Sequence, residues 1–162
     1  MYANDPPSLA GPRVKAALRE RFARSPSAAF VPIERELATV PKGAHDLDRV
    51  YLSLPYRTAE TLGVDMASLN RSAFDALAPG GTYTVVDFRP LVRGPTPLNL
   101  HTLHQEESAN VRRRVEAAGF SFVTEGRFLH NDPRPGEWDA ILAPTPTALE
   151  EQDRFLLKFV KP

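Results

Sequence analysis

The chain contains no cysteine, which excludes disulfides, thiolate metal sites and a cysteine nucleophile. It has no apolar run near the roughly 18 residues that span a bilayer. Its first residues lack the basic-then-apolar pattern of a secretory signal. The expected compartment is therefore the cytoplasm, with no membrane partner. Charge of one sign is not in excess either: 20 Lys and Arg face 20 Asp and Glu. Zero net charge gives no electrostatic argument for nucleic acid or an anionic membrane, and no nucleic-acid partner is expected. Glycine is sparse, nine residues in all, and no two form Gly-x-Gly. No internal repeat or low-complexity tail is visible.

What is present reads as an ordinary folded chain. A length of 162 residues predicts one domain over 1–162. The apolar share of 42% and charged share of 25% are typical of globular proteins. Sixteen prolines are many, and they cluster at the N-terminus, near 90–97 and in 133–146, which reads as loops.

The rest of the chain is organised around Leu77-Ala78-Pro79-Gly80-Gly81-Thr82-Tyr83-Thr84-Val85-Val86-Asp87. Pro79 cannot continue a helix, and one of the two glycines suits the left-handed residue that closes a helix end. A β-branched and aromatic strand follows, as expected of a strand covered on both faces. Before it, Asp65 is placed to cap a helix whose stripe is Met66, Leu69, Ala73, Phe74 and Leu77.

Upstream, Met1 to Pro7 fits the end of a strand. Val14, Ala17, Leu18 and Phe22 predict a helix starting near Pro12. Ala28 to Ile33 is a short strand. Leu47 to Tyr56 is a stronger one. Downstream, Val111, Val115 and Ala118 predict a helix ending at Gly119, Phe120 to Leu129 a strand, and Arg154 to Val160 a last strand. Strand–helix alternation favours a mostly parallel sheet. The last two strands have no helix between them and suit an antiparallel hairpin.

Five blocks, taken in order, resemble small bacterial class I S-adenosylmethionine (SAM)-dependent methyltransferases. They are Asp5-Pro6, the Asn70 to Asp87 segment, Thr102-Leu103-His104, the Val111 to Phe120 segment and the Phe159 to Pro162 end. The resemblance covers nearly the whole chain. It implies a Rossmann-like three-layer α/β fold, strand order 3-2-1-4-5-7-6, with an antiparallel C-terminal strand. It also implies SAM as cofactor and a small-molecule acceptor. The family's first strand and its Gly-x-Gly loop are missing. Three arrangements follow: a truncated chain, a strand supplied by another polypeptide such as a second copy in a homodimer, or direct closure of strands 2 and 4. The start at Met1 inside a strand favours truncation.

The resemblance also implies site residues. Asp5, after strand 2, would accept from the ribose hydroxyls; its alternative is an Asp-Pro-Pro turn. Glu34 would face adenine, or stand as an exposed loop acid. Ser53, Leu54 and Pro55 would line the cofactor at the end of strand 4. Tyr56 would line the methyl-transfer site, or simply end the strand. His104 is the base candidate, since its ordinary pKa suits proton removal near neutrality; a helix-capping or surface role is the alternative. His101 and His104 stand three apart, but no third ligand is placed, so no metal is expected. Arg112-Arg113-Arg114 reads as a solvated helix face. Two other readings stay open. One is a non-catalytic methyltransferase-like domain used in assembly or partner binding. The other is a nucleotide-binding oxidoreductase fragment, against which the absent Gly-x-Gly-x-x-Gly weighs.

Overall fold

The structure is a computed structural model that describes residues 2–4, 12–24, 31–33, 39–41, 43–52, 56–88, 108–129 and 154–162. These fall into two compact units, Met1–Ala38 and Thr39–Pro162. Strand pairing shows why. Among the described residues, the strands of the first unit pair only with each other, and the strands of the second form a sheet of their own.

The first unit is a βαβ piece. Strand β1 (Tyr2–Asn4) and strand β2 (Val31–Ile33) are parallel, with Tyr2 opposite Val31 and Asn4 opposite Ile33. Helix α1 (Pro12–Arg24) connects them. Pro12 is its first residue, where a missing N–H costs nothing.

The second unit begins with β3 (Leu47–Leu52) and helix α2 (Tyr56–Thr61). Helix α3 (Met66–Ala76) leads into β4 (Leu77–Phe88), and α4 (Ser108–Glu116) precedes β5 (Ser121–Gly126) and β6 (Arg154–Val160). The sheet order is β3-β4-β6-β5. β3 and β4 are parallel, and β6 lies antiparallel between β4 and β5. The two sheets thus carry the 3-2 and 4-5-7-6 portions of the expected order.

Helix α3 forms as its sequence demands. The Asp65 carboxylate accepts from the N–H of Ala67 at 3.0 Å and Ser68 at 3.3 Å, and from the Ser68 hydroxyl at 2.6 Å. These bonds favour the charged form and lower the Asp65 pKa, the Ser68 hydroxyl contributing most. Met66, Leu69, Ala73 and Ala76 are buried.

The end of α3 departs from expectation. No left-handed residue closes it. Leu77 is already extended (φ −80°, ψ 143°) and pairs with Leu47 as the first residue of β4. The Pro-Gly-Gly segment is a bulge inside the strand, lying between the Leu47–Leu77 and Arg49–Thr82 pairs. Gly80 takes the positive φ there, 78°. The bulge is tied to the end of β6: Gly80 N–H donates to the Lys161 carbonyl and Lys161 N–H to the Gly81 carbonyl, both at 2.9 Å. The Lys161 ammonium donates to the Leu77 carbonyl at 2.6 Å. A Cβ at Gly81 would lie 2.8 Å from the Ala78 carbonyl oxygen and 2.9 Å from that of Leu47. Both are main-chain atoms of the junction, so Gly81→Ala is expected to cost about 1–3 kcal/mol as overpacking. Urea unfolding by circular dichroism would read this as a lowered midpoint, and an unchanged midpoint would show that the junction yields.

One face of the sheet holds the core. Tyr83, Val85 and Asp87 of β4 lie opposite Phe159, Leu157 and Phe155 of β6, and all six are buried. Helices α2, α3 and α4 pack against these strands. The rings of Tyr83 and Phe122 sit 6.5 and 5.8 Å from that of Phe159, and Phe120 stands 5.2 Å from Tyr83. On the opposite face, Thr84, Val86, Leu156 and Lys158 are half-buried, and Tyr51 is 61% exposed. β5 is shorter than predicted and β6 spans the predicted residues.

Candidate active site

In parallel sheets, ligands sit beyond the C-terminal ends of the strands. Four such ends exist here. β1 ends at Asn4, directly before Asp5, and its parallel neighbour β2 ends at Ile33, directly before Glu34. β3 ends at Leu52, before Ser53, Leu54 and Pro55. Its parallel neighbour β4 ends at Phe88, before the segment that carries His104. Asp5, Glu34, Ser53, Leu54, Pro55 and His104 themselves lie outside the described residues, as does His101. The strand ends bring the chain to these positions in the two units separately.

Tyr56 is the one candidate whose side chain is described. It starts helix α2 instead of ending a strand. Its ring is fully buried, and its hydroxyl oxygen accepts from Asn70 Nδ2 at 2.7 Å. The Asn70 amide is shared further. Its Nδ2 also reaches the Arg114 carbonyl at 3.4 Å, and its Oδ1 accepts from the Tyr83 hydroxyl at 3.3 Å. The Arg114 guanidinium lies 5.1 Å from the centre of the Tyr56 ring and is ion-paired with Glu60. Tyr56 therefore clamps the corner after β3 onto α3 and α4. Burial, reinforced by Tyr56, pushes the Tyr83 hydroxyl above the ordinary tyrosine range, so this network stays neutral at physiological pH.

Asn70 was not singled out from the sequence. The signal was there: it stands four residues after Met66 and three before Ala73, inside the buried stripe of α3, where an amide must be fully bonded. Asp87 is also buried, and its Oδ1 accepts from the Phe88 N–H at 2.7 Å. The arginine run is not simply solvated. Arg112 pairs with Glu116 and lies 4.0 Å from the Phe122 ring centre, and Arg114 is engaged as above. Among the described residues, no group of three His, Cys, Asp or Glu is placed to hold a metal ion, and no helix is long and apolar enough to cross a membrane.

No protein-family model matches the chain, and no curated protein matches it. Solved structures do. A SAM-dependent methyltransferase from Mesorhizobium loti is similar over 98% of this chain and 79% of its own, with a TM-score of 0.59 at 16% identity. A variant of the 16S rRNA (adenine(1408)-N(1))-methyltransferase from Catenulisporales acidiphilia, solved with its cosubstrate SAM, covers 99% of this chain and 74% of its own (TM-score 0.59, 18% identity). A complex of the Haloferax volcanii Trm112 methyltransferase activator with a methyltransferase scores 0.62 over 99% of this chain and 71% of that one, at 16% identity. The chain has the Rossmann-like fold of SAM-dependent methyltransferases.

These structures correct one expectation. The resemblance implied a small-molecule acceptor, and zero net charge gave no argument for nucleic acid. The fold is carried by an enzyme named for 16S rRNA and by one held by an activator protein. Net charge reports only the sum over the surface, and a balanced sum is compatible with local patches that bind polyanions.

Proposed function

We propose that this chain is a SAM-dependent methyltransferase domain with a macromolecular acceptor, RNA. The observation that carries the reading is the strand order β3-β4-β6-β5 with β6 antiparallel, beside a separate parallel β1–β2 pair. The 16S rRNA enzyme of the same fold supports the choice of acceptor.

The donor set fits the cofactor in part. An ionised carboxylate accepts only, so Asp5 after β1 suits a ribose diol. Glu34, after the neighbouring strand, suits the adenine amine for the same reason. The chain offers no Gly-x-Gly backbone for the methionine portion. Bound SAM would supply a methyl group on an electrophilic sulfonium. The protein's task is then mainly alignment of the acceptor, with His104 as the group that takes the acceptor's proton. Tyr56 is left out of this reading, since its hydroxyl oxygen accepts from Asn70 in the core.

The test is thermal melting of the 162-residue chain with and without S-adenosylhomocysteine. A ligand at 100 times its Kd adds about 2.7 kcal/mol, which raises Tm by several degrees for a chain of this size. Asp5→Ala should abolish the shift while leaving the unliganded melt in place. A cooperative melt with no shift would instead favour the non-catalytic reading.

A further inference from the structure

Helix α2 is six residues long. Isolated helices under about 12 residues are marginal in water, so its own hydrogen bonds do not hold it in place. Its direction comes from side chains. Tyr56 and Ala59 are fully buried. Glu60 is ion-paired with Arg114 of α4, whose guanidinium also lies against the Tyr56 ring. At the first residue of the helix, the Tyr56 hydroxyl oxygen accepts from Asn70 Nδ2 of α3 at 2.7 Å.

The place of this anchor matters. β3 ends at Leu52, and Leu52 is fixed by pairing with Val85 of the parallel strand β4. The four steps from Leu52 to Tyr56 cover at most about 14 Å. Ligands of parallel sheets rest beyond this end of the strand. The described residues on both sides of the strand end are therefore anchored, Leu52 by the sheet and Tyr56 by the amide. Stability does not call for an amide here, because replacing both partners of a buried hydrogen bond by apolar groups of the same shape is nearly neutral. What the bond adds is direction, since it weakens steeply when bent. It fixes where the ring, and the helix start attached to it, can lie. The same amide also accepts from the Tyr83 hydroxyl at 3.3 Å. Tyr83 stands in the middle of β4, away from the end of any strand.

We propose that Tyr56 is a positioning residue for the cofactor: its bond to Asn70 sets the direction in which the chain leaves β3, and with it the affinity of that strand end for SAM. This rests on the reading of the chain as a SAM-dependent methyltransferase. The hydroxyl is engaged in the core, so it acts through the start of α2 and not on the cofactor itself. A strand end already held in its binding geometry need not be ordered when the ligand arrives, and one released from that geometry binds more weakly.

The experiment is calorimetric titration of S-adenosylhomocysteine into the full chain, as wild type, Tyr56→Phe and Tyr83→Phe. Each substitution removes one hydroxyl from the same Asn70 network and keeps the ring volume, so both variants should melt cooperatively with similar losses in Tm. The titrations are run at a temperature where all three proteins are folded. Tyr56→Phe should weaken binding about tenfold, the effect of one lost hydrogen bond. Tyr83→Phe should stay within about twofold of wild type. That difference at matched stability separates positioning from a merely structural role. Unchanged affinity in Tyr56→Phe overturns the proposal. Equal weakening by both variants also overturns it, because affinity would then follow stability and not the direction of the helix start. Absence of binding by wild type sinks the methyltransferase reading itself, whereas binding by wild type that Tyr56→Phe leaves intact sinks only the positioning role.

Discussion

Phe159→Ala is expected to be the most damaging single truncation in the second unit, at about 3–5 kcal/mol. Phe159 is fully buried on β6, the strand inserted between β4 and β5. Its ring meets Tyr83 on one side and Phe122 on the other, with Phe120 6.4 Å away. Removing it opens a cavity where two strand ladders and the α4 layer meet, and backbone paired on both edges cannot collapse to fill it. For a chain of this size each kcal/mol moves Tm by about 2–4 °C, so the loss should be near 10 °C or more. Phe159→Leu keeps most of the volume and should cost less than half as much. Urea denaturation of both variants checks the ranking. Equal losses would mean that the aromatic contacts, not the filled volume, hold the strand.

Asn70→Ala is the second large effect, for a different reason. The side chain is fully buried and joins Tyr56, Tyr83 and the Arg114 carbonyl. Its removal leaves buried polar partners stranded, each costing about 1–3 kcal/mol, so about 3 kcal/mol in total is expected. Tyr56→Phe and Tyr83→Phe each remove one end of the network and should cost about 1 kcal/mol. A double-mutant cycle should show coupling, since Asn70→Ala already forfeits what Tyr56→Phe removes. Additive losses would show that the amide and phenol act independently. Tyr83 adds a pH signature. Its folded pKa is raised, so its contribution is complete below the unfolded value of 10.0 and is lost as pH rises above it. Tyr83→Phe should flatten that alkaline decline.

Both predictions bear on what the resembling blocks do. The Asn70–Asp87, Val111–Phe120 and Phe159–Pro162 segments meet in one place. Lys161 holds the Gly80–Gly81 bulge, and its ammonium lies 4.8 Å from the Phe74 ring centre. Phe74 packs edge-on to Phe120 at 5.1 Å, beside Gly119, whose φ of 108° and missing Cβ leave room for the ring. These residues, shared as motifs, build the floor of the domain rather than its chemistry. The candidates Asp5, Glu34 and Ser53 directly follow β1, β2 and β3 in the sequence.

Local pattern was enough to determine several parts of this protein. Asp65 ahead of an apolar 3–4 stripe determined α3, because a side-chain cap and a buried face act over a few residues. The alternating run Arg154 to Val160 determined β6, and the Val111–Val115 spacing with Gly119 determined α4 and its end. The order of these elements, together with the five blocks, pointed to the fold. Tertiary structure decided the rest. Tyr56 reads as a strand end or a residue lining the methyl-transfer site, and only the distant Asn70, fourteen residues on, ties its hydroxyl into the core. Pro-Gly-Gly reads as a helix stop, yet Lys161 binds it from the far end of the chain and turns it into a bulge of β4. Which strands pair likewise has no local signal, because pairing joins edges far apart in sequence. Short-range propensity follows from the residues themselves, whereas partners far apart in sequence are set only when the chain is packed.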